Sequence, residues 1–265
     1  MREPFPREYR VGVHNGRPVF LADGRPAVIP SYCSCGPTWW DRWLAAHRRF
    51  VAHGWRVFWL MPKGGYNGEW GTTPFWTGPG QIHDPPLPMP ADYHGLDEQA
   101  EALIAMAGDV RFLIRMMDMP PGAWAEAHPD EMLLNCDGTR YPYASLASDA
   151  YVEELAAYLR ALTRYCERAD WAERIIGYVM YPLGEGATPL ACEGYLFDQS
   201  PAMQRAFREH LRAKYGSNAA LRRAWGDPAA DIDSARVPRD EDFRRRGGPV
   251  PYWPEGRQVR PERDY

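Results

Sequence analysis

Glu185 stands between two glycines, Gly184 and Gly186, just beyond an apolar run, Ile175 to Tyr181, that Pro182 closes. Flanking glycines impose little steric constraint, so a carboxyl group placed there can be aimed into a cleft. Its natural chemistry is proton transfer. Hydrolysing a glycosidic bond with retention needs two carboxyls about 5 Å apart, one a proton donor and one a nucleophile. Glu193 is a second carboxylate nearby but lies further from the end of the run, which ranks Glu185 first. The competing reading is a solvated glutamate in a turn.

Other residues could serve such a site. Arg115 sits inside the apolar stretch 110–117, where a charge is costly unless paired. It could orient a catalytic carboxylate or belong to a structural ion pair. Asp118 closes the same stretch and could bond sugar hydroxyls or cap a turn. Trp124 follows Pro120-Pro121-Gly122-Ala123, Tyr32 closes an earlier apolar run, and Tyr66 and Asn67 follow another. Each could line a cleft or pack a loop. Eleven tryptophans and fifteen tyrosines accompany twenty-six prolines and twenty-four glycines, a composition that suits aromatic-rich loops. Aromatic faces stack on sugar rings, so carbohydrate is the expected partner; the alternative is that the aromatics fill a core.

Several chemistries have no support. There is no G-x-S-x-G and no H-E-x-x-H. Neither a G-x-G-x-x-G nor a phosphate-binding G-x-x-x-x-G-K-[ST] occurs, so no nucleotide cofactor is expected. Five scattered cysteines, with Cys33-Ser34-Cys35 the one close pair, make a poor metal signal and read as reduced thiols. A net charge of −4 leaves no basic surplus for nucleic acid. No apolar leader or membrane-length run is present, so a cytoplasmic protein is expected.

The elements that must position these residues alternate. Residues 9–21 read as a hairpin turning at Asn15-Gly16, a type I′ signal, and Ala22 to Arg25 reads as a second turn. Apolar strands are expected at 27–32, 56–62, 110–117 and 175–181. Helices are expected at 39–51, 96–107, 149–169, 200–215 and 218–225. The helix 149–169 carries Val152, Leu155, Ala156, Leu159, Leu162 and Cys166 as its apolar stripe. Ser200-Pro201 forms a cap followed by proline at the first helical position. Loops are expected at 63–93 and 118–148, and nothing periodic after Asp227.

Strands alternating with helices imply parallel β/α units, either an open doubly wound sheet or a (β/α)8 barrel. The long connections all follow strands, whereas the returns to strands are short. That asymmetry favours the barrel, with its site on the face at the strands' C-terminal ends.

Arg174-Ile175-Ile176-Gly177-Tyr178, Gly184-Glu185, Ser200 to Arg208, Leu211 to Tyr215 and Leu221 to Asp227 together resemble the β-galactosidase-like glycoside hydrolases of family 42. Phe20 to Pro26 and His128 to Glu131 are similar as well, and the likeness spans most of residues 18–228. The resemblance implies a (β/α)8 TIM-type barrel and gives Glu185 the acid/base role at the end of the fourth strand. Gly184 stands where the family usually has asparagine, and the spacing from Tyr178 is longer than usual. The family's nucleophile belongs to a seventh strand, and only four barrel strands are legible. The expected architecture is therefore α/β, a barrel truncated to about its first four β/α units. A hairpin segment (1–26) precedes the barrel part (27–228), and an irregular Pro/Arg-rich tail (229–265) follows. The expected function is glycoside hydrolysis with the nucleophile outside the chain. The alternatives are a degenerate carbohydrate-binding relative and an aromatic-lined scaffold without a sugar ligand. Open sheet edges imply self-association or a partner that completes the barrel.

Overall fold

A computed structural model describes residues 8–33, 40–62, 71–90, 93–116, 118–180, 198–239 and 241–242. The chain opens with an antiparallel sheet of β1 (Tyr9–His14), β2 (Arg17–Ala22) and β3 (Arg25–Pro26). Both of its turns have two successive residues of positive φ, Asn15 and Gly16 at 52° and 73°, then Asp23 and Gly24 at 47° and 77°. That is the twist a two-residue hairpin turn needs, and Asn-Gly and Asp-Gly supply it at least cost.

The central sheet has four parallel strands: β4 (Ser31–Tyr32), β5 (Val57–Leu60), β8 (Arg111–Met116) and β11 (Ile175–Met180). They lie side by side in chain order. An open doubly wound sheet reverses its order at a switch point; here no reversal occurs among the described strands. The order is that of a barrel wall, and the architecture is four consecutive β/α units of a (β/α)8 fold. Helices α1 (Trp40–Ala52), α2 (Leu96–Met106) and α4 (Asp149–Arg168) connect the strands.

Alternation along each strand divides the sheet into two faces. Phe58, Leu60, Phe112 and Ile114 are fully buried in the main core, which the helices cover. Trp59, Leu113, Ile176 and Val179 are half-buried on the inner face. There they border a cavity of about 420 Å³ whose other wall is the N-terminal hairpin, through Tyr9, Val11 and Phe20. The Trp59 indole donates to Ser31 Oγ (3.0 Å), tying the inner faces of neighbouring strands together.

The two long connections expected to be plain loops contain structure. Residues 61–95 include a small hairpin, β6 (Trp76–Gly78) with β7 (Gln81–Ile82). Residues 117–148 include the short helix α3 (Gly122–Ala127) and a hairpin of β9 (Met132–Leu134) with β10 (Arg140–Ala144). Strands of two to five residues fall below what periodicity can reveal.

The buried stripe of α4 also differs from expectation. Tyr151, Tyr158, Ala161, Leu162 and Cys166 face the core, whereas Val152 is 50% exposed. A tyrosine buries its ring while its hydroxyl finds a polar partner. Tyr151 does so, donating to the carbonyl oxygen of Asp118.

After the fourth strand, α5 (Pro201–Tyr215) and α6 (Asn218–Trp225) form a second, smaller core. Ser200 Oγ accepts from Met203 N (3.1 Å), Pro201 follows it, and Gly216 ends α5 at φ 67°. The stretch after Asp227, expected to lack order, is aperiodic but packed. Ala230, Ile232, Ala235 and Val237 are buried against Phe207, Leu211 and Leu221.

Candidate active site

The parallel strands present their C-terminal ends on one side, so the connections leaving them share one face. On that face the connection after β5 is clamped by Gln99 of α2, a residue that no sequence pattern singles out. Its amide donates to the carbonyls of Met61 (2.9 Å) and His94 (3.0 Å) and accepts from Met61 N (3.3 Å). Gln99 is 1% exposed, so these bonds satisfy a polar group that burial would otherwise penalise.

Residues 71–76 of the same connection are all buried. A Cβ on Gly71 would fall 1.9 Å from the carbonyl oxygen of Pro120. Only glycine lets the backbones of the second and third connections approach this closely. Behind them lies an aromatic cluster: Trp124 is edge-on to Trp76 (6.4 Å) and to Tyr151 (5.9 Å) and stacks on His128 (4.3 Å). Glu154 of α4 accepts from the Trp76 indole (3.2 Å) and from Gly80 N (2.9 Å), fixing the small hairpin to the helix.

Of the two readings of Trp124, cleft wall or packing, its surroundings match packing: it is 0% exposed and its ring is enclosed by Trp76, Tyr151 and His128. It is a core residue that holds the third connection against α4, with no face open to a ligand. Tyr32, at the end of β4, turns its ring to α1, stacked on Phe50 at 3.9 Å and edge-on to His47 at 4.9 Å.

His47 is itself 0% exposed, and burial holds its imidazole at a pKa of about 4, neutral at ordinary pH. Its Nδ1 donates to the Trp43 carbonyl (2.7 Å), so the ring joins the aromatic packing rather than any proton transfer on the loop face.

Arg115 and Asp118 stay on the C-terminal side of the third barrel strand. Arg115 shares the inner face with Trp59 and Leu113, and its Nη1 lies 3.8 Å from the sulfur of Met61, just past the end of β5. Asp118 is 8% exposed. Burial and the nearby Asp118 charge both push the Tyr151 hydroxyl well above the usual tyrosine range, so Tyr151 remains a neutral donor. The structure thus joins Asp118 and Trp124 through Tyr151 and sets Arg115 against Met61. Tyr32 stands apart, on the helix side of β4. Glu185, Tyr66 and Asn67 lie outside the described residues, as does Glu193.

The described residues that flank Glu185 are Met180, at the C-terminal end of β11, and Asp198. Asp198 is buried beside β9: its Oδ1 accepts from Leu134 N (3.2 Å) and Ser200 N (2.8 Å), and Oδ2 from Ser200 Oγ (3.0 Å). Gln199 N adds a bond to Leu134 O (2.7 Å), and Arg205 of α5 pairs with Glu131 (2.5 Å). Both flanking residues therefore belong to the loop face: one ends the fourth strand, the other bonds to the hairpin of the third connection.

No group of three or more potential metal ligands gathers among the described residues. Burial raises the thiol of Cys166 to about 12, where it stays protonated. No helix of the described residues is long and apolar enough to cross a membrane.

No family model matches the chain. A β-galactosidase of Thermus sp, BgaA, is 29% identical over 146 residues, which are 53% of this chain and 21% of that protein. Among solved structures, β-galactosidase from the psychrophilic Marinomonas ef1 superposes with a TM-score of 0.57 at 20% identity, covering 79% of this chain and 30% of that one. A GH42 β-galactosidase from G. stearothermophilus gives 0.53 at 16% identity, covering 80% and 28%. The catalytic domain of β-amylase from Paenibacillus polymyxa gives 0.56 at 18% identity, covering 82% and 55%. The chain thus has the fold of barrel glycosidases and resembles the family 42 β-galactosidases. It spans about a fifth of the curated relative's length and about three-tenths of the solved β-galactosidases.

Proposed function

We propose that this chain is the acid/base-bearing part of a retaining, β-galactosidase-like glycoside hydrolase. Its partner is carbohydrate, and Glu185 protonates the leaving oxygen. What supports the reading is that Met180, the last described residue before Glu185, ends the fourth parallel strand, and that Asp198 and Gln199, the first after it, bond to the hairpin of the third connection. In a parallel α/β barrel, reacting residues gather on that face. A proton donor needs a raised pKa, which burial or a neighbouring negative charge supplies.

Arg115 would face the reacting centre from the inner side of the third strand, and Asp118 would meet sugar hydroxyls at its end. Tyr66 and Asn67, from the second connection, would add further contacts, and Tyr32 is the weakest candidate given its packing on Phe50. No metal and no cofactor enter this chemistry. The nucleophile comes from a strand beyond these four, supplied by further sequence or by a second chain. The barrel part would occupy residues 27–228, with the hairpin before it and the Pro/Arg-rich tail after it. A cytoplasmic setting completes this reading.

A second reading, a non-catalytic carbohydrate-binding relative, draws on the half-buried apolar inner face of Trp59, Leu113 and Val179. One experiment separates the two. The chain, alone and joined to the remaining units of a related barrel, is assayed on nitrophenyl β-galactoside beside Glu185→Gln. Turnover by the completed barrel that the substitution reduces by at least about 100-fold, the scale of general acid–base catalysis, supports catalysis. Saccharide binding without turnover in either form supports the second reading.

A further inference from the structure

The segment after α6 is held by polar side chains rather than by a helix or strand. Gln204 Oε1 accepts from Val237 N (2.8 Å), and Gln199 Nε2 donates to Pro238 O (2.7 Å). Val237 and Pro238 are buried, and the arginines on either side of them, Arg236 and Arg239, are exposed. With Arg208 of α5 and the indole of Trp225 they line a groove of about 830 Å³.

Arg56, Arg164, Arg205 and Arg212 each lie within ion-pair distance of a carboxylate. Arg208 and Arg239 instead donate to backbone carbonyls, those of Ala235 (3.5 Å) and Cys136 (2.5 Å). Each guanidinium has five N–H donors, so most remain for a ligand. Two carboxylates also border the groove, Asp227 and Asp242. Asp227 is engaged with its own turn, accepting from Ala229 N (2.8 Å). Three cations thus face two anions, in a chain whose net charge is −4.

We infer that this groove binds the acidic unit of a saccharide, a uronate, whose carboxylate is held by Arg236 and Arg239 and whose ring lies along Trp225. The planar fork of a guanidinium matches a carboxylate with two parallel hydrogen bonds. The Trp225 ring, backed by Phe207 at 6.5 Å, offers the apolar wall that a sugar face needs. The pinned backbone of residues 237–238 fixes the spacing of the two arginines before any ligand arrives, which lowers the ordering cost of binding. From the proposed function this takes only the class of partner, a saccharide; it does not use Glu185.

Calorimetric titration of the chain tests it, with trigalacturonate, neutral galactotriose and inorganic phosphate at low salt. Trigalacturonate should bind at least about tenfold more tightly than galactotriose, the scale of one charge-assisted hydrogen bond. Arg236→Gln, which touches no internal contact, should lose several-fold of that affinity, and Arg236→Gln with Arg239→Gln about tenfold or more. Unfolding curves confirm that each variant is folded. Binding should persist in Glu185→Gln, so a failed hydrolysis assay leaves this result standing and the converse also holds. Equal affinity for acidic and neutral sugars would overturn the inference, as would folded arginine variants that bind undiminished. Phosphate binding as tightly as trigalacturonate would assign the groove to a free anion and also overturn it.

Discussion

The two ends of the four-stranded sheet are held by different physics. At the N-terminal ends of the strands, short returns are clipped by arginines. Arg56 Nε meets Asp109 at 2.7 Å, and its Nη1 donates to the carbonyls of Val51 (3.0 Å) and Trp55 (2.8 Å). Arg174 donates to Gly108 O (2.7 Å) and Val110 O (3.3 Å). At the C-terminal ends, long connections are joined by buried aromatic packing and one glycine contact. One end is closed by guanidinium bonds to carbonyls and a carboxylate, the other by buried rings together with the side-chain bonds of Gln99, Glu154 and Asp198. A scaffold fixed from below in this way leaves its upper loops free to differ between relatives, which is where barrels place their chemistry.

The sharpest test of that contrast is Trp124→Ala. If the upper connections are held by this cluster, removing a fully buried indole costs about 3–5 kcal/mol, read as a lower urea midpoint at unchanged slope. Saccharide binding measured on the protein that remains folded should be unchanged. Stability near wild type with binding lost would reverse the assignment and restore Trp124 as a ligand wall.

The same contrast explains how much could be read from the sequence. What depends on neighbours in sequence is legible: Gly54 ends α1, short returns follow, and the Ser200-Pro201 cap and the Gly216 stop appear where residue types place them. The N-terminal turns were equally legible, since Asn15-Gly16 carries its own geometry. The upper end depends on partners far apart in the chain. Gln99 closes on Met61, Glu154 on Gly80 and Asp198 on Leu134, and no local pattern announces any of these bonds. Of the expected α4 stripe, Leu155, Leu159, Leu162 and Cys166 pack on the core and Val152 is exposed, because Tyr151 and Tyr158 shift the buried face. Of the candidate site, the position of Glu185 after the fourth strand followed from the alternation of elements, whereas the burial of Trp124 needed the partner rings to be seen.

A smaller effect separates two glycines, one from each end. A Cβ at Gly71 would also lie 2.6 Å from the carbonyl carbon of Pro120, and backbone cannot step aside as a side chain can. Gly71→Ala should cost about 1–3 kcal/mol or more through overpacking, with loosened amide protection in both connections. Gly54 has φ 89° and open space around it, so Gly54→Ala suffers only the left-handed backbone, about 1–2 kcal/mol, with protection changed at the lower end alone. Identical protection maps for the two variants would mean that the ends are not independently held.

Arg56→Ala probes the lower end itself and should be milder than Trp124→Ala. The ion pair to Asp109 contributes little, because Asp109 is 54% exposed and water screens the attraction. The bonds to Val51 O and Trp55 O are partly buried, and losing them leaves carbonyls less well satisfied. The expected loss is about 1–2 kcal/mol in urea unfolding, nearly independent of salt. Asp109→Ala should cost well under 1 kcal/mol, and what it does cost should shrink as salt is raised. Arg56→Lys discriminates further: a single ammonium keeps the charge but lacks the fork that reaches Asp109 and two carbonyls at once. If Arg56→Lys were as stable as the parent chain, charge alone would be holding the lower end. The two ends would then differ in their residues but not in how directional their bonds must be.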